Sequence, residues 1–304
     1  MTSEPSGSVD LDIALGFTIA ARHARGRMVR LGPALDTILS RHQYPPAIEN
    51  LLAEALTLAA LLGSSLKHAE GKLTIQAQAE GGAIDLLVVD YQAGQLRGYI
   101  RHDPVRAAEM PVAPSLFALF GKGYLAITFD QATTGERYQG IVPLEGESLA
   151  HAAESYFAQS EQLPSLVRLW TQRHADGRHI AGGMLIQHLP EGEEGRERIH
   201  TRLDHPEWEH VRALAQTLTL DELTDPTLGL ETVLWRLFNE EDEVRTMAPV
   251  AMAAECRCDA DHIRSVISRF PEDERIQMAD ETGEIHVDCE FCSTRYSMTL
   301  DSLA

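Results

Sequence analysis

Residues 256–292 read CRCDADHIRSVISRFPEDERIQMADETGEIHVDCEFC and hold all four cysteines of the 304-residue chain. The cysteines form a C-x-C pair, Cys256 and Cys258, and a C-x-x-C pair, Cys289 and Cys292, separated by thirty residues. Residues two apart in an extended strand point to the same side, and a C-x-x-C turn brings its two sulfurs together in the same way. The two pairs predict a tetrahedral site of four thiolates, which is the arrangement that Zn²⁺ prefers, with one Zn²⁺ per chain.

Other uses of these cysteines fit less well. A secreted disulfide framework is disfavoured because residues 1–12 contain acids but no Lys or Arg, unlike a secretory signal. A bridge within the C-x-C pair is also strained if an extended strand holds its Cα atoms apart. A thioredoxin-type dithiol needs only one C-x-x-C pair. Spacing alone does not separate a purely structural zinc site from one that oxidation dismantles.

The residues around the cysteines predict a small folded unit. Asp259 can cap a helix that Pro271 ends, and residues 272–274 are acids that suit the first turn of a second helix. Alternating apolar residues lead into Cys289 and out of Cys292, which predicts a β-hairpin with the C-x-x-C turn at its tip. So small a core depends on its metal, since zinc binding in such modules contributes on the order of 10–16 kcal/mol. The first helix is expected to pack with four apolar residues: Ile263, Val266, Ile267 and Phe270.

The segment before the cysteines is predicted to be a helical linker region. Residues 189–205 are rich in Gly and Glu and are typical of a linker. Two amphipathic helices follow, one opened by Pro206 and one after Pro226; they are too short to be stable alone, so they must pack on the N-terminal domain or on the zinc module. Release of their apolar faces would expose large apolar side chains, although periodicity alone also fits helices that stay docked. These side chains include Trp208, Trp235 and Phe238.

The N-terminal part predicts a fold but no active site. Short turns between apolar runs indicate an antiparallel meander with packed helices, so the class is α+β. The expected strands are residues 73–79, 84–90, 96–101, 124–130, 138–142, 166–170 and 181–188. A basic cluster is expected to be a solvated strand face: Arg22, Arg25, Arg27 and Arg30. With no phosphate loop, nucleophile elbow, H-E-x-x-H or recognisable triad, the sequence nominates no catalytic residues.

Charge and hydropathy restrict the partners. The formal charge is −20, which disfavours a nucleic-acid partner. Residues 1–187 hold 15 basic and 19 acidic residues and residues 188–304 hold 11 and 27, so the net charges are −4 and −16; self-repulsion predicts that the second part is the less stable one. The most apolar stretch, residues 51–66, contains Glu54, so no membrane span is expected. We predict an N-terminal α+β core domain over residues 1–190, a metastable helical linker region over 191–250 and a zinc-binding domain with a β-hairpin over 251–304.

Several motifs together resemble one family along nearly the whole chain. They are the four-cysteine pattern, YFAQSEQLP at residues 156–164, AGGMLIQ at 181–187, LWRLFNEE at 234–241 and the arginines and glycines of residues 25–32. With these motifs the chain resembles the heat-shock protein 33 family of redox-regulated bacterial chaperones.

The resemblance implies a cytoplasmic, non-enzymatic, ATP-independent holdase of the stress response. In its reduced, zinc-bound state such a protein is inactive. Oxidation pairs Cys256 with Cys258 and Cys289 with Cys292, zinc is released and the linker unfolds. The oxidised form dimerises, binds unfolding client proteins and hands them over to ATP-dependent foldases. The candidate client-binding residues are the apolar side chains of the linker helices, Trp208, Val211, Leu230, Trp235 and Phe238. The resemblance thereby selects the redox-active interpretation that spacing leaves open.

Overall fold

The structure is a computed structural model that describes residues 11–66, 71–111, 114–131, 135–189 and 205–303. The strands are β1 (Ile13–Ile19), β2 (Ala24–Leu31), β3 (Lys72–Gly81), β4 (Ile84–Gln92), β5 (Gln95–His102), β6 (Gly121–Asp130), β7 (Arg137–Pro143), β8 (Ser165–Arg173), β9 (His179–His188), β10 (Arg245–Thr246), β11 (Val250–Ala251), β12 (Ala253–Ala254), β13 (Glu284–Asp288) and β14 (Arg295–Thr299). The helices are α1 (Pro33–Leu39), α2 (Pro46–Gly63), α3 (Pro104–Ala108), α4 (Leu116–Phe120), α5 (Leu149–Tyr156), α6 (Pro206–Ala215), α7 (Leu220–Thr224), α8 (Leu230–Phe238), α9 (Ala260–Ile267) and α10 (Glu272–Met278).

Two sheets enclose the central helix α2. The first, sheet A, has the order β10-β1-β2-β9-β8, with β11 also on β1, and the second, sheet B, has the order β12-β5-β4-β3-β6-β7. Every pairing is antiparallel except that of β12 with β5. Helix α2 contacts strands of both sheets. The expected α+β class and antiparallel sheets are confirmed.

Helix α2 is the helix among the described residues that is long and apolar enough to cross a membrane. It begins at a proline in the first turn, where the missing N–H costs nothing, and it carries apolar residues around most of its circumference. Its most apolar window is 72% buried inside the protein. This pattern is that of a core helix covered by a sheet on each side.

The middle helices pack on the outer face of sheet A. Trp208 of α6 and Val233 of α8 share one buried cluster with Phe17 of β1 and Met28 of β2. The sequence left two supports open, the N-terminal domain or the zinc module, and the structure shows the first. The five-residue helix α7 was not expected, although Thr219 and Glu222 form a capping box that marks its start. Of the predicted connection at 189–205, residues 190–204 lie outside the described residues.

The expectation that the basic cluster is a solvated strand face is wrong for Arg30 and Arg22 and only partly right for Arg27, which is half-buried. Arg30 has no exposed surface, because α7 and the segment after it cover its strand. Arg22 is half-buried and pairs with Glu241 at 2.8 Å. Arg25 is exposed, as expected. The charge pattern could not predict the burial of these arginines, because the segments that cover them lie nearly 200 residues further along the chain.

The C-terminal unit has a very small core. Its buried apolar residues are Ile285, Met298 and Leu303, and Ile263 and Ile267 of α9 are partly buried against them. The hairpin of β13 and β14 and both predicted helices are present. The expected packing of Val266 and Phe270 is wrong, because both stay more than one-third exposed. The hairpin is too narrow to cover the whole apolar stripe of α9.

Candidate metal centre

Two separate segments deliver the cysteines to one point. Strand β12 runs parallel to β5, and the Glu255 N–H donates to the Leu96 carbonyl at 3.0 Å, which fixes the chain just before Cys256. Cys256 and Cys258 follow β12 in extended chain outside any strand, so the expected strand placement of this pair is wrong. The pair still directs both sulfurs to one side.

The second pair sits in the turn between β13 and β14. The Cys289 N–H donates to the Thr294 carbonyl at 2.9 Å, and the Ser293 N–H donates to the Cys289 carbonyl at 2.8 Å. Ser293 has a φ of 54°, in the left-handed region. This tight turn places Cys289 and Cys292 on the side that faces Cys256 and Cys258. The hairpin with the C-x-x-C turn at its tip is thus present as predicted.

The four sulfurs have the spacing of a tetrahedral metal site. All four Sγ atoms lie within 4.8 Å of one another. The Cys256–Cys289 distance is 3.7 Å and the Cys258–Cys292 distance is 3.4 Å. Zn–S bonds of about 2.3 Å place the sulfurs of a tetrahedron about 3.8 Å apart. The four side chains therefore offer the donor atoms and the approximate spacing of a site for an ion of the size of Zn²⁺.

The four thiols do not share one acidity. Burial raises the pKa values of Cys256, Cys258 and Cys289 above the usual thiol value. Burial also opposes ionisation of Cys292, but hydrogen bonds with Thr294, Cys258 and Cys289 together outweigh it and lower the pKa of Cys292 to about 6. A cation at the centre favours the ionised form of all four. Metal binding at neutral pH is therefore expected to release protons from the thiols.

A tyrosine closes one side of the site. The Tyr296 hydroxyl donates to Cys258 Sγ at 3.0 Å, and this hydrogen bond, together with burial, raises the pKa of Tyr296 to about 12. Sequence reasoning placed Tyr296 in the hairpin but missed this contact. The alternation of β14 was the available signal, because it directs Tyr296 to the face that carries the apolar residues.

The C-x-x-C turn also docks on sheet B. The Phe291 ring lies 4.9 Å from the Tyr99 ring, edge to face, and Arg97 Cζ lies 4.0 Å from the Phe291 ring centroid. Between the first two cysteines, Arg257 Nη2 donates to an Asp90 carboxylate oxygen at 3.3 Å. Residues inside both cysteine motifs thus hold the metal site against the N-terminal sheet. The motif spacing gave no sign of these contacts, which depend on the outer face of β4 and β5.

The five predicted client-binding residues fall into two environments. Trp208, Val211, Leu230 and Phe238 are buried against sheet A, and Trp208 is only 2% exposed. Trp235 lies on the other side of α8 and is 65% exposed. In this state four of the five side chains are therefore covered by the sheet and by one another.

An α+β chain of two sheets around a central helix, whose C-terminal unit brings four cysteine sulfurs to one point, has the architecture of a protein with a thiolate metal site. A profile of the family described as Hsp33 protein matches residues 12–299. A 33 kDa chaperonin of Caulobacter vibrioides is 45% identical over 301 residues, covering 97% of each chain. One of Cronobacter sakazakii is 36% identical over 272 residues, covering 90% of this chain and 87% of that protein.

A solved structure shares the fold. The crystal structure of the 33 kDa chaperonin of Thermotoga maritima matches with a TM-score of 0.78 over 96% of both chains, at 23% identity. The chain belongs to the Hsp33 family, a family of chaperones. The resemblance inferred from the motifs is thus confirmed.

Proposed function

We propose that this protein is a redox-regulated, ATP-independent holdase that is inactive while reduced and metal-bound. The observation that carries the proposal is the four-sulfur cluster inside a unit with only three buried apolar side chains among the described residues. A unit with so small a core gains most of its folding free energy from binding the metal. When bound, Zn²⁺ neutralises the thiolate charges and holds the two cysteine segments together.

The proposed switch is the oxidation of the four thiols to two disulfides. For each disulfide, two thiols lose two electrons and two protons while one peroxide molecule accepts them and becomes two waters. Thiolates are the reactive form, and a bound cation keeps all four cysteines in that form, so each sulfur is open to attack by peroxide. Disulfide formation removes the ligands of the site, so it no longer holds a metal.

We propose that the disulfides are Cys256–Cys258 and Cys289–Cys292. In the folded unit the short sulfur contacts of 3.7 and 3.4 Å instead join the two motifs. Disulfides between the two motifs would hold the unit in its folded conformation. Once the unit opens, residues two and three apart stay near each other by chain connectivity, whereas the two motifs separate. The proposed pairing thus requires opening before the second bridge forms and keeps the unit open afterwards.

Opening of the unit is transmitted to the middle helices through a short stretch of chain. Residues 245–254 form β10 and β11 on the edge of sheet A and β12 on the edge of sheet B, between α8 and Cys256. Unfolding of the C-terminal unit breaks the contacts of Phe291 and Arg257 with sheet B and releases the end of β12. Short edge strands are weakly held, so α6 to α8 can then leave sheet A and expose their apolar faces.

The client surface that we propose includes Trp208, Val211, Leu230, Trp235 and Phe238, together with the sheet they cover. The partners are unfolding proteins, bound without ATP in the cytoplasm during oxidative stress. We also propose that the oxidised chain forms a homodimer and hands clients over to ATP-dependent foldases. It performs no catalysis of its own.

The test is to treat the reduced, zinc-loaded chain with peroxide at heat-shock temperature. Zinc release, thiol loss and suppression of client aggregation should appear together and reverse with a thiol reductant. Zinc release without any holding activity would instead support a second class of function, a zinc-stabilised interaction module that is not redox-switched. Peptide mapping of the oxidised chain tests the disulfide pairing separately.

A further inference from the structure

A buried cation lies in the interface between sheet A and the middle helices. Arg30 of β2 has no exposed surface. Its Nε donates to the Leu223 carbonyl at 2.7 Å, its Nη1 to the Leu228 carbonyl at 2.7 Å and its Nη2 to the Glu222 carbonyl at 3.3 Å. All three carbonyls belong to the end of α7 and the loop that follows. One side chain of the sheet thus holds the backbone of the linker region.

The hydrogen bonds of Arg30 do not depend on which side chains the bound segment carries. In the described part of the chain these hydrogen bonds go to backbone carbonyls. Those of Glu222 and Leu223 belong to the last turn of α7, where a helix leaves its carbonyls without an intrahelical partner, and that of Leu228 belongs to the loop. Burial lowers the pKa of Arg30 and the charge of Asp225 raises it again, and a guanidinium remains charged in proteins. The planar fork of donors therefore recognises a feature that every polypeptide carries.

The surroundings of Arg30 are apolar. The strand residues on the same side of sheet A are buried in the cluster that the middle helices complete, and they include Leu15, Phe17, Met28, Met184 and Ile186. Helices α6 to α8 and their connecting loops occupy this face with apolar side chains and with the backbone carbonyls that Arg30 binds. An unfolding protein presents the same two features, exposed apolar side chains and backbone carbonyls that have lost their partners.

We propose that Arg30 anchors the client once the middle helices have left sheet A. Its N–H groups then donate to backbone carbonyls of an unfolding polypeptide whose apolar side chains lie on the face that the linker region covered. This inference rests on the proposed holdase function and adds a site and an anchoring residue to it. In the reduced state the middle helices occupy the face of sheet A on which the client binds.

The test uses the full chain in its oxidised, metal-released form, so that the role of Arg30 in docking the linker does not enter. Two permanently unfolded probes are labelled with a fluorophore: reduced, carboxamidomethylated α-lactalbumin, which is acidic, and lysozyme treated in the same way, which is basic. Binding is followed by fluorescence anisotropy. Arg30→Met should raise the Kd for both probes about tenfold, because charge-assisted hydrogen bonds are lost. Arg25→Met, on the same strand but exposed, should leave both Kd values unchanged.

Arg30→Lys provides a second variant that keeps the charge. It lacks the planar fork and should raise both Kd values about threefold, which is expected of a weaker match to several carbonyls. Circular dichroism and the monomer–dimer equilibrium are measured for each variant. Unchanged affinity in Arg30→Met and Arg30→Lys would overturn the anchor. A loss confined to the acidic probe would also overturn it, because it would show recognition of client carboxylates. Failure of the oxidised wild-type chain to bind either probe would overturn the holdase function itself.

Discussion

Docking of the middle helices on sheet A should be the step that keeps the reduced protein inactive, and one pair of tryptophans allows a matched test. Trp208 is 2% exposed in the interface with sheet A, whereas Trp235 on α8 is 65% exposed. Trp208→Ala removes a buried aromatic side chain, which typically costs about 3–5 kcal/mol. Trp235→Ala removes the same atoms from a largely solvated position and should cost little.

The magnitude follows from the packing. Trp208 makes this packing only while the helices are docked on sheet A. A loss of about 3 kcal/mol of packing free energy therefore raises the ratio of undocked to docked helices roughly 150-fold, since each 1.4 kcal/mol is tenfold. Hydrogen exchange of the reduced, zinc-loaded variants measures this ratio directly. In Trp208→Ala the amides of α6 and α8 should lose about two orders of magnitude of protection while those of sheet B stay unchanged.

The functional readout follows from the same samples. Reduced Trp208→Ala, still carrying its zinc, should suppress client aggregation without oxidant, whereas reduced Trp235→Ala should remain inactive. The reasoning is refuted if Trp208→Ala loses helix protection but stays inactive when reduced, or if both variants behave alike.

Three further predictions concern the metal centre and the core. Cys289→Ser should weaken zinc affinity and make the C-terminal unit sensitive to protease; full zinc stoichiometry with unchanged resistance would contradict the four-ligand site. Phe291→Ala keeps all four ligands, so zinc content should be normal, but loss of the contacts with Arg97 and Tyr99 should speed zinc release by peroxide several-fold; an unchanged rate would show that docking on sheet B does not protect the site. Burial raises the pKa of Glu54 from 4.5 to about 7, so its stabilising contribution is full below pH 4.5 and is lost as the pH rises through 7. The free energy of unfolding measured in urea should therefore fall by at most about 3 kcal/mol between pH 5 and pH 8 in the wild type, and this fall should be missing in Glu54→Gln. Equal pH profiles of the two proteins would contradict the raised pKa of Glu54.

Local patterns in the sequence predict much of this fold. The proline at the start of α2, the alternation in β3 to β9 and the cap at Asp259 are short-range signals, and the elements they predict are present. The four-cysteine site was also predictable, because both sulfur pairs are set by residues two or three apart. Strand β1 was missed although it has seven residues, because its apolar residues run on without alternation and are buried on both faces. The strands β10 to β12 were missed because two-residue edge strands carry no periodicity of their own.

Contacts between distant segments could not be predicted in the same way. The burial of Arg30 depends on carbonyls about 190 residues further along the chain. The stacking of Phe291 on Arg97 depends on how the hairpin meets sheet B. Choice of the N-terminal sheet over the zinc module as the support for α6 to α8 likewise requires knowledge of which faces remain uncovered.

The coupling between the sulfur cluster and the linker region is tested most directly by one combined measurement. Zinc content, free thiols and hydrogen exchange are followed on a single sample of reduced chain before and after peroxide at elevated temperature. We expect loss of four thiols for each zinc ion released, with α6 to α8 losing protection at the same rate while β3 to β6 keep theirs. Complete zinc release with α6 to α8 still protected would contradict the coupling.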